Sequence, residues 1–141
     1  MGKSANIRNY VGVPVEIMGE TYNMKLTMLG SDYLEETYGN PLEAFNKYNA
    51  MIARLKKNGV DKECRDTLIN FIYASIIHNQ FDDQGNVIRK IPTAFELKSS
   101  LMQNDLIALL QSMTRAQTES LPDVSESNEA QEEKADDPII A

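Results

Sequence analysis

Two periodicities divide the chain. Val13, Val15 and Ile17 alternate with polar or small neighbours, and Tyr22, Met24, Leu26 and Met28 do the same after Gly19-Glu20. A period of two is the mark of half-buried strands, so residues 13–28 are expected to form a β-hairpin. A two-residue loop at Gly19-Glu20 pairs Ile17 with Tyr22, Val15 with Met24 and Val13 with Leu26. Every apolar residue then meets an apolar partner on one face. Gly19 supplies the positive φ required at the first turn position. A lone hairpin is marginal in water, so this face is expected to pack on helices.

The remaining pattern is helical. Residues 31–38 predict a short helix capped by Ser31 or Asp32, with Leu34 and Tyr38 on one face and Gly39 as its stop. Asn40-Pro41-Leu42-Glu43 predicts a second start: Asn40 caps, Pro41 suits the first position and Glu43 completes a capping box. Phe45, Tyr48, Ile52 and Leu55 then recur at helical spacing, and Lys56, Lys57 and Gly59 mark the end. Asp61 caps a third helix reaching towards Phe81. Its Leu68, Ile69, Phe71, Ile72, Tyr73, Ala74, Ile76 and Ile77 cover most of the circumference, which predicts a central helix covered on several sides. Asp82-Asp83-Gln84-Gly85-Asn86 is a turn. Thr93 and Glu96 form a capping box for a helix with Leu97 and Leu101 inside. Asn104 or Asp105 caps the last helix, where Leu106, Ile107, Leu109, Leu110 and Met113 make a broad apolar band. The expected fold is mainly α: a bundle of about five helices with an N-terminal β-hairpin and a disordered acidic C-terminal tail.

Charge sharpens the domain boundaries. The formal net charge is -7, but residues 123–141 hold seven acids and only Lys134 as a base. That segment lacks hydrophobic periodicity until Pro138-Ile139-Ile140-Ala141, so it is read as a disordered tail. Residues 1–12 are expected to be a flexible N-terminus, and residues 13–122 a single hairpin-plus-helix domain. The body is nearly neutral and has no basic stripe for phosphates, which argues against nucleic-acid binding. No apolar run is long enough for a signal peptide or a membrane span. The single Cys64 cannot form an internal disulfide, which suits a reducing compartment.

Candidate chemistry is sparse. His78, the only histidine, sits near the end of an apolar helix and reads as a packing or capping residue. Cys64 has no partner signature and reads as an inert thiol. The 82–86 segment resembles part of a calcium loop, but the sixth position is Val87 and the twelfth Thr93, where Gly and Glu are needed. There is no phosphate loop, metal-ligand spacing or nucleophile elbow. No catalytic residue, cofactor or metal is expected. Core packing explains most of the broad bands at 68–77 and 106–113, but with the hairpin face they exceed what so small a body is expected to cover. Surplus apolar surface marks a protein-binding site or an oligomer interface, and the seven methionines can repack against varied partners.

Taken together, "GETY" (Gly19 to Tyr22), "YLEETYG" (Tyr33 to Gly39), "PLEAFNKY", a central apolar helix, "IPTAFELKSSL" (Ile91 to Leu101) and "DLIALLQSM" (Asp105 to Met113) resemble the tail assembly chaperones of long-tailed bacteriophages over residues 13–122. The resemblance implies a self-associating, non-enzymatic protein of the host bacterial cytoplasm, missing from the finished virion. It would hold the tape measure protein in solution and present it to the major tail tube protein; many such chaperones also have a longer frameshifted form. On this reading Phe71, Ile72, Ile76, Leu106, Leu109 and Leu110 are expected to contact the partner, and Tyr33 and Tyr38 to serve self-association as a homo-oligomer. Two other readings stand beside it: a structural tail or neck component of the virion, and an acidic inhibitor of a DNA-binding protein.

Overall fold

The computed structural model describes residues 10–119. The expectations for the ends of the chain, including the acidic tail, fall outside these residues. Strands β1 (Val13–Ile17) and β2 (Glu20–Met24) form an antiparallel hairpin. Five helices follow: α1 (Met28–Tyr38), α2 (Pro41–Asn58), α3 (Lys62–Ile76), α4 (Ala94–Ser100) and α5 (Gln103–Glu119). The mainly helical architecture with one hairpin is the expected one.

The hairpin register is two residues away from the expected one. Ile17 pairs with Glu20, Val15 with Tyr22 and Val13 with Met24. The loop is Met18-Gly19, with φ of 54° and 85°. Two successive positive φ values make a type I′ turn, whose twist matches the strands, with glycine second. A shift of two residues keeps every side chain on its face. Val13, Val15, Ile17, Tyr22 and Met24 therefore remain buried. The body also starts earlier than residue 13: the Tyr10 hydroxyl donates to the Ala116 carbonyl at 3.4 Å, and the Lys25 ammonium donates to the Tyr10 carbonyl.

Met28 belongs to a helix, not to β2. Thr27 is the cap of α1, its hydroxyl accepting from the Gly30 N–H at 3.4 Å. Ser31 and Asp32 lie inside the helix. The chain leaves the ladder because the Lys25 N–H turns to the Ser75 carbonyl, 3.0 Å away on α3. Asn40 caps α2 as expected, its Oδ1 accepting from the Glu43 N–H at 2.7 Å with Pro41 in the first turn, but the return bond from the Glu43 side chain that would complete a capping box is not formed. The buried stripe of α2 is Ala44, Tyr48 and Met51, so Phe45 sits at its margin.

Helix α3 is the centre of the molecule. Asp61 caps it through the Cys64 N–H at 2.9 Å. Nine of its fifteen residues are buried, so it must be covered on all sides by the other elements. It tightens into a 3₁₀ turn at Ile77–Gln80. Helix α1 approaches α3 closely at Gly30, where a Cβ would stand 2.2 Å from the Ala74 carbonyl oxygen. Thr93 and Glu96 form the expected capping box of α4, at 3.1 and 2.9 Å. Asp105 is the third residue of α5 and not its cap; its carboxylate reaches back to the Met102 N–H at 2.8 Å.

Gly30→Ala is expected to lower stability by about 1–3 kcal/mol, since a methyl there forces two helix backbones apart. Met18→Asn is expected to raise it by about 0.5–1 kcal/mol, because Asn tolerates positive φ better than Met. Urea denaturation of each variant measures both.

Candidate functional site

The six residues expected to contact a partner lie in the core. Phe71, Ile72 and Ile76 are at most 1% exposed, and Leu106, Leu109 and Leu110 at most 8%. That expectation is corrected: the bands on α3 and α5 cover each other together with the hairpin, α1, α2 and α4. Phe71 is the clearest case. Its ring centre lies 4.7 Å from that of Tyr48, 6.4 Å from Tyr38 and 6.5 Å from Phe45. Such tilted aromatic pairs each add about 0.5–1.5 kcal/mol beyond area burial.

Tyr33 and Tyr38 are half-buried, and their hydroxyls are used inside the chain. Tyr33 donates to Asn70 Oδ1 at 2.7 Å, and Asn70 Nδ2 donates to the Tyr38 oxygen at 3.1 Å. Tyr33 also packs on Tyr73, ring centres 4.8 Å apart. Burial pushes the Tyr33 phenol above its ordinary value. These contacts tie α1 to α3 through one amide side chain.

The apolar surface left in water is elsewhere. Met28 is 83% exposed, Phe95 75%, Met102 73% and Leu42 70%. Val11, Met18, Leu29, Phe45, Val87 and Ile88 are exposed as well. Some of this was legible from helix geometry. Leu97 points inward, and Phe95, two residues back, must fall roughly 200° around the α4 axis. Leu42 lies off the Ala44–Tyr48–Met51 stripe for the same reason. Met28 was hidden by its apparent place in the strand alternation.

Among the described residues, three shallow grooves have Met18 or Phe95 in their lining. One, about 360 Å³, runs between the outer edge of β1 and α5, lined by Pro14, Glu16, Met18, Leu101, Asp105 and Ala108 among others. A second, about 310 Å³, lies between α3 and α4, where Phe95 and Ile69 face Asp66, Asn70 and Lys98. The Lys98 and Lys62 ammoniums hold the Asp66 carboxyl below its ordinary range. The third, about 230 Å³, is lined by Met18, Glu20, Tyr22, Lys90 and Ile91. Arg89 lies over the Tyr22 ring, 4.3 Å from its centre.

The residues weighed for chemistry are placed as structural parts. Cys64 is fully buried and its thiol faces the Met51 carbonyl at 3.7 Å. Asp82 accepts from the N–H groups of Gln84 and Asn86, both at 2.9 Å. These bonds close the 82–86 turn and hold the Asp82 carboxyl below its ordinary range, the Asn86 N–H foremost. Among the described residues no group of His, Cys, Asp and Glu is placed to hold a metal ion, and no helix is long and apolar enough to cross a membrane. His78 Nδ1 is buried without a hydrogen-bond partner among the described residues. Burial, and secondarily the Lys25 ammonium, push its pKa down to about 4.

Comparison with known protein families, characterised proteins and solved structures gives no match for the chain.

The His78 environment gives a signed pH effect. Unfolded, the imidazole takes its proton near 6.5; folded, it does so only near 4. The fold keeps this group's contribution above about pH 6.5 and loses it as pH falls towards 4. Urea denaturation at pH 7 and pH 4.5 is expected to show a steeper loss for the native chain than for His78→Gln, which removes the titrating group.

Proposed function

We propose that the chain is a tail assembly chaperone of the long-tailed phage type, acting in the host cytoplasm. It binds the tape measure protein, keeps it soluble and passes it to the major tail tube protein. Two things support this reading: the order of sequence elements that resembles that family, and the apolar side chains that the folded body leaves exposed. The second observation carries it. Single exposed apolar residues are ordinary, but Met28, Leu42, Phe95 and Met102 are all 70% or more exposed in one small domain.

The mechanism follows from weak, repeated burial. An unassembled tape measure exposes apolar helical stripes. Covering one large apolar side chain is worth about 1.5–3 kcal/mol, while ordering two partners costs several kcal/mol or more. A few such contacts per copy give modest affinity, so many copies along the partner supply the hold. Modest contacts also permit release when tube subunits compete for the same stripes. Methionine suits this role because its unbranched side chain repacks against varied surfaces. Since Phe71, Ile72, Ile76, Leu106, Leu109 and Leu110 are core, the contact set moves to Met28, Leu42, Phe45, Phe95 and Met102. Self-association is part of the reading, and the Tyr33 and Tyr38 hydroxyls, already bonded to Asn70, contribute little to it.

Co-expression with the tape measure protein of the same tail gene cluster tests the proposal. The native chain is expected to raise soluble tape measure protein and to co-purify with it. A Phe95→Asp, Met102→Asp double variant, whose positions are exposed and whose fold circular dichroism can verify, is expected to recover at least about tenfold less. A folded native chain that fails to co-purify overturns the reading. So does stoichiometric recovery of the chain from purified virions, the result a structural tail component gives.

A further inference from the structure

The two edges of the hairpin are treated differently by the rest of the fold. In a hairpin with a two-residue loop, the residues flanking the loop exchange both backbone hydrogen bonds, and every second pair beyond them does the same. Ile17–Glu20, Val15–Tyr22 and Val13–Met24 are therefore the bonded pairs. Pro14 and Glu16 on β1, and Thr21, Asn23 and Lys25 on β2, turn their backbone groups outward.

Four outward groups of β2 have partners in the rest of the fold. Asn79 Oδ1 accepts from the Asn23 N–H at 3.0 Å, and its Nδ2 donates to the Asn23 carbonyl at 2.8 Å. The Arg89 guanidinium donates to the Thr21 carbonyl at 3.2 Å, and the Lys25 N–H donates to the Ser75 carbonyl at 3.0 Å. The outward groups of β1 have no such partners among the described residues. Pro14 and Glu16, whose remaining backbone groups turn outward by the ladder alternation, line the groove of about 360 Å³ between β1 and α5. An unpaired edge facing a groove of extended shape is the arrangement that receives an added strand.

The groove also indicates the chemistry of the strand. Its charged lining residues are Glu16 and Asp105, and no Lys, Arg or His lines it. The rest of the lining is apolar, Pro14, Met18, Leu101 and Ala108 included, apart from Ser100 and Ser112. A second copy of β1 is a poor occupant, because antiparallel self-pairing about this rung sets Glu16 close to its own copy, and like charges facing across strands destabilise. Segment 123–141, with seven acids and one base, carries the wrong charge for this groove. Pro14 has no N–H to offer, so the ladder is short, centred on Glu16, and does not propagate.

We infer that the β1–α5 groove receives an extended, basic segment of another protein by strand addition, with a Lys or Arg beside Glu16 and small apolar residues over Ala108. Met28, Phe95 and Met102 are not among the residues that line this groove, and the inference stands whether or not the partner is a tape measure protein.

The test is titration of the full chain with a short peptide of alternating lysine and valine, followed by amide NMR and hydrogen exchange. The expected result is a shift of the Glu16, Met18 and Ala108 amides, with slowed exchange at the Glu16 N–H. Glu16→Lys is expected to weaken binding at least about tenfold. Ala108→Arg, at an exposed helix position where Arg keeps helix propensity, is expected to abolish binding by filling the groove. The inference is overturned if the lysine–valine peptide leaves these amides unmoved. It is overturned equally if an alternating glutamate–valine peptide, or the basic peptide with a central proline, binds as well. Peptide-free Glu16 shifts that grow with protein concentration would assign the edge to a second copy and also overturn it.

Discussion

Helix α3 cannot exist in water alone, and the rest of the molecule is arranged around that constraint. Nine of its fifteen residues are buried, spread around the axis so that one neighbour cannot cover them. The hairpin, α1, α2, α4 and α5 each take a sector. Phe71 shows the result in a single side chain, with aromatic rings from α1 and α2 packed around it. The close backbone approach of Gly30 to Ala74 is a consequence of the same demand. α1 can cover its sector of α3 at that distance only where no side chain intervenes.

Enclosing a helix this fully also fixes its polar groups. Near its C-terminal end the Ser75 carbonyl accepts from the Lys25 N–H of the hairpin, and the helix tightens to a 3₁₀ turn directly afterwards. Asn79 in that turn completes the β2 edge, which a two-stranded sheet would otherwise leave unpaired. A helix end and a strand edge, each short of partners, satisfy one another. β1 has no such partner, and the groove beside it is the feature that distinguishes the two edges. His78, in the same 3₁₀ turn, bears the cost of this packing through a buried nitrogen that has no hydrogen-bond partner among the described residues.

The apolar surface left exposed is not on the broadest apolar bands. The richest apolar bands, on α3 and α5, cover each other and the hairpin face, and Leu106, Leu109 and Leu110 sit inside with Ile72 and Ile76. Four of the most exposed apolar residues come from weaker signals near helix starts: Met28 is the first residue of α1, Leu42 the second of α2, Phe95 the second of α4, and Met102 precedes α5. First-turn positions are the last that a neighbouring helix covers, so apolar residues there add little to the core. They are positions where an apolar residue can serve an outside surface without removing anything from the inside.

Local chemistry alone determined much of this protein. Alternation gave the hairpin and its buried face, and Asn40, Asp61 and Thr93 marked helix starts because their side-chain oxygens accept from backbone N–H groups a few residues on. Those are interactions between near neighbours, which a sequence carries in full. The circumferential apolar pattern of α3 likewise identified the centre. Tertiary structure decided what depends on distant partners. The turn moved to Met18-Gly19, because two positive φ values in succession match the strand twist and a two-residue shift costs no buried face. Thr27 became the α1 cap once the Lys25 N–H was claimed by Ser75, fifty residues away. The division of apolar residues into core and surface was also decided there. Burial depends on which sectors of one helix the others happen to cover, and helical spacing states only that a face exists, not what lies against it.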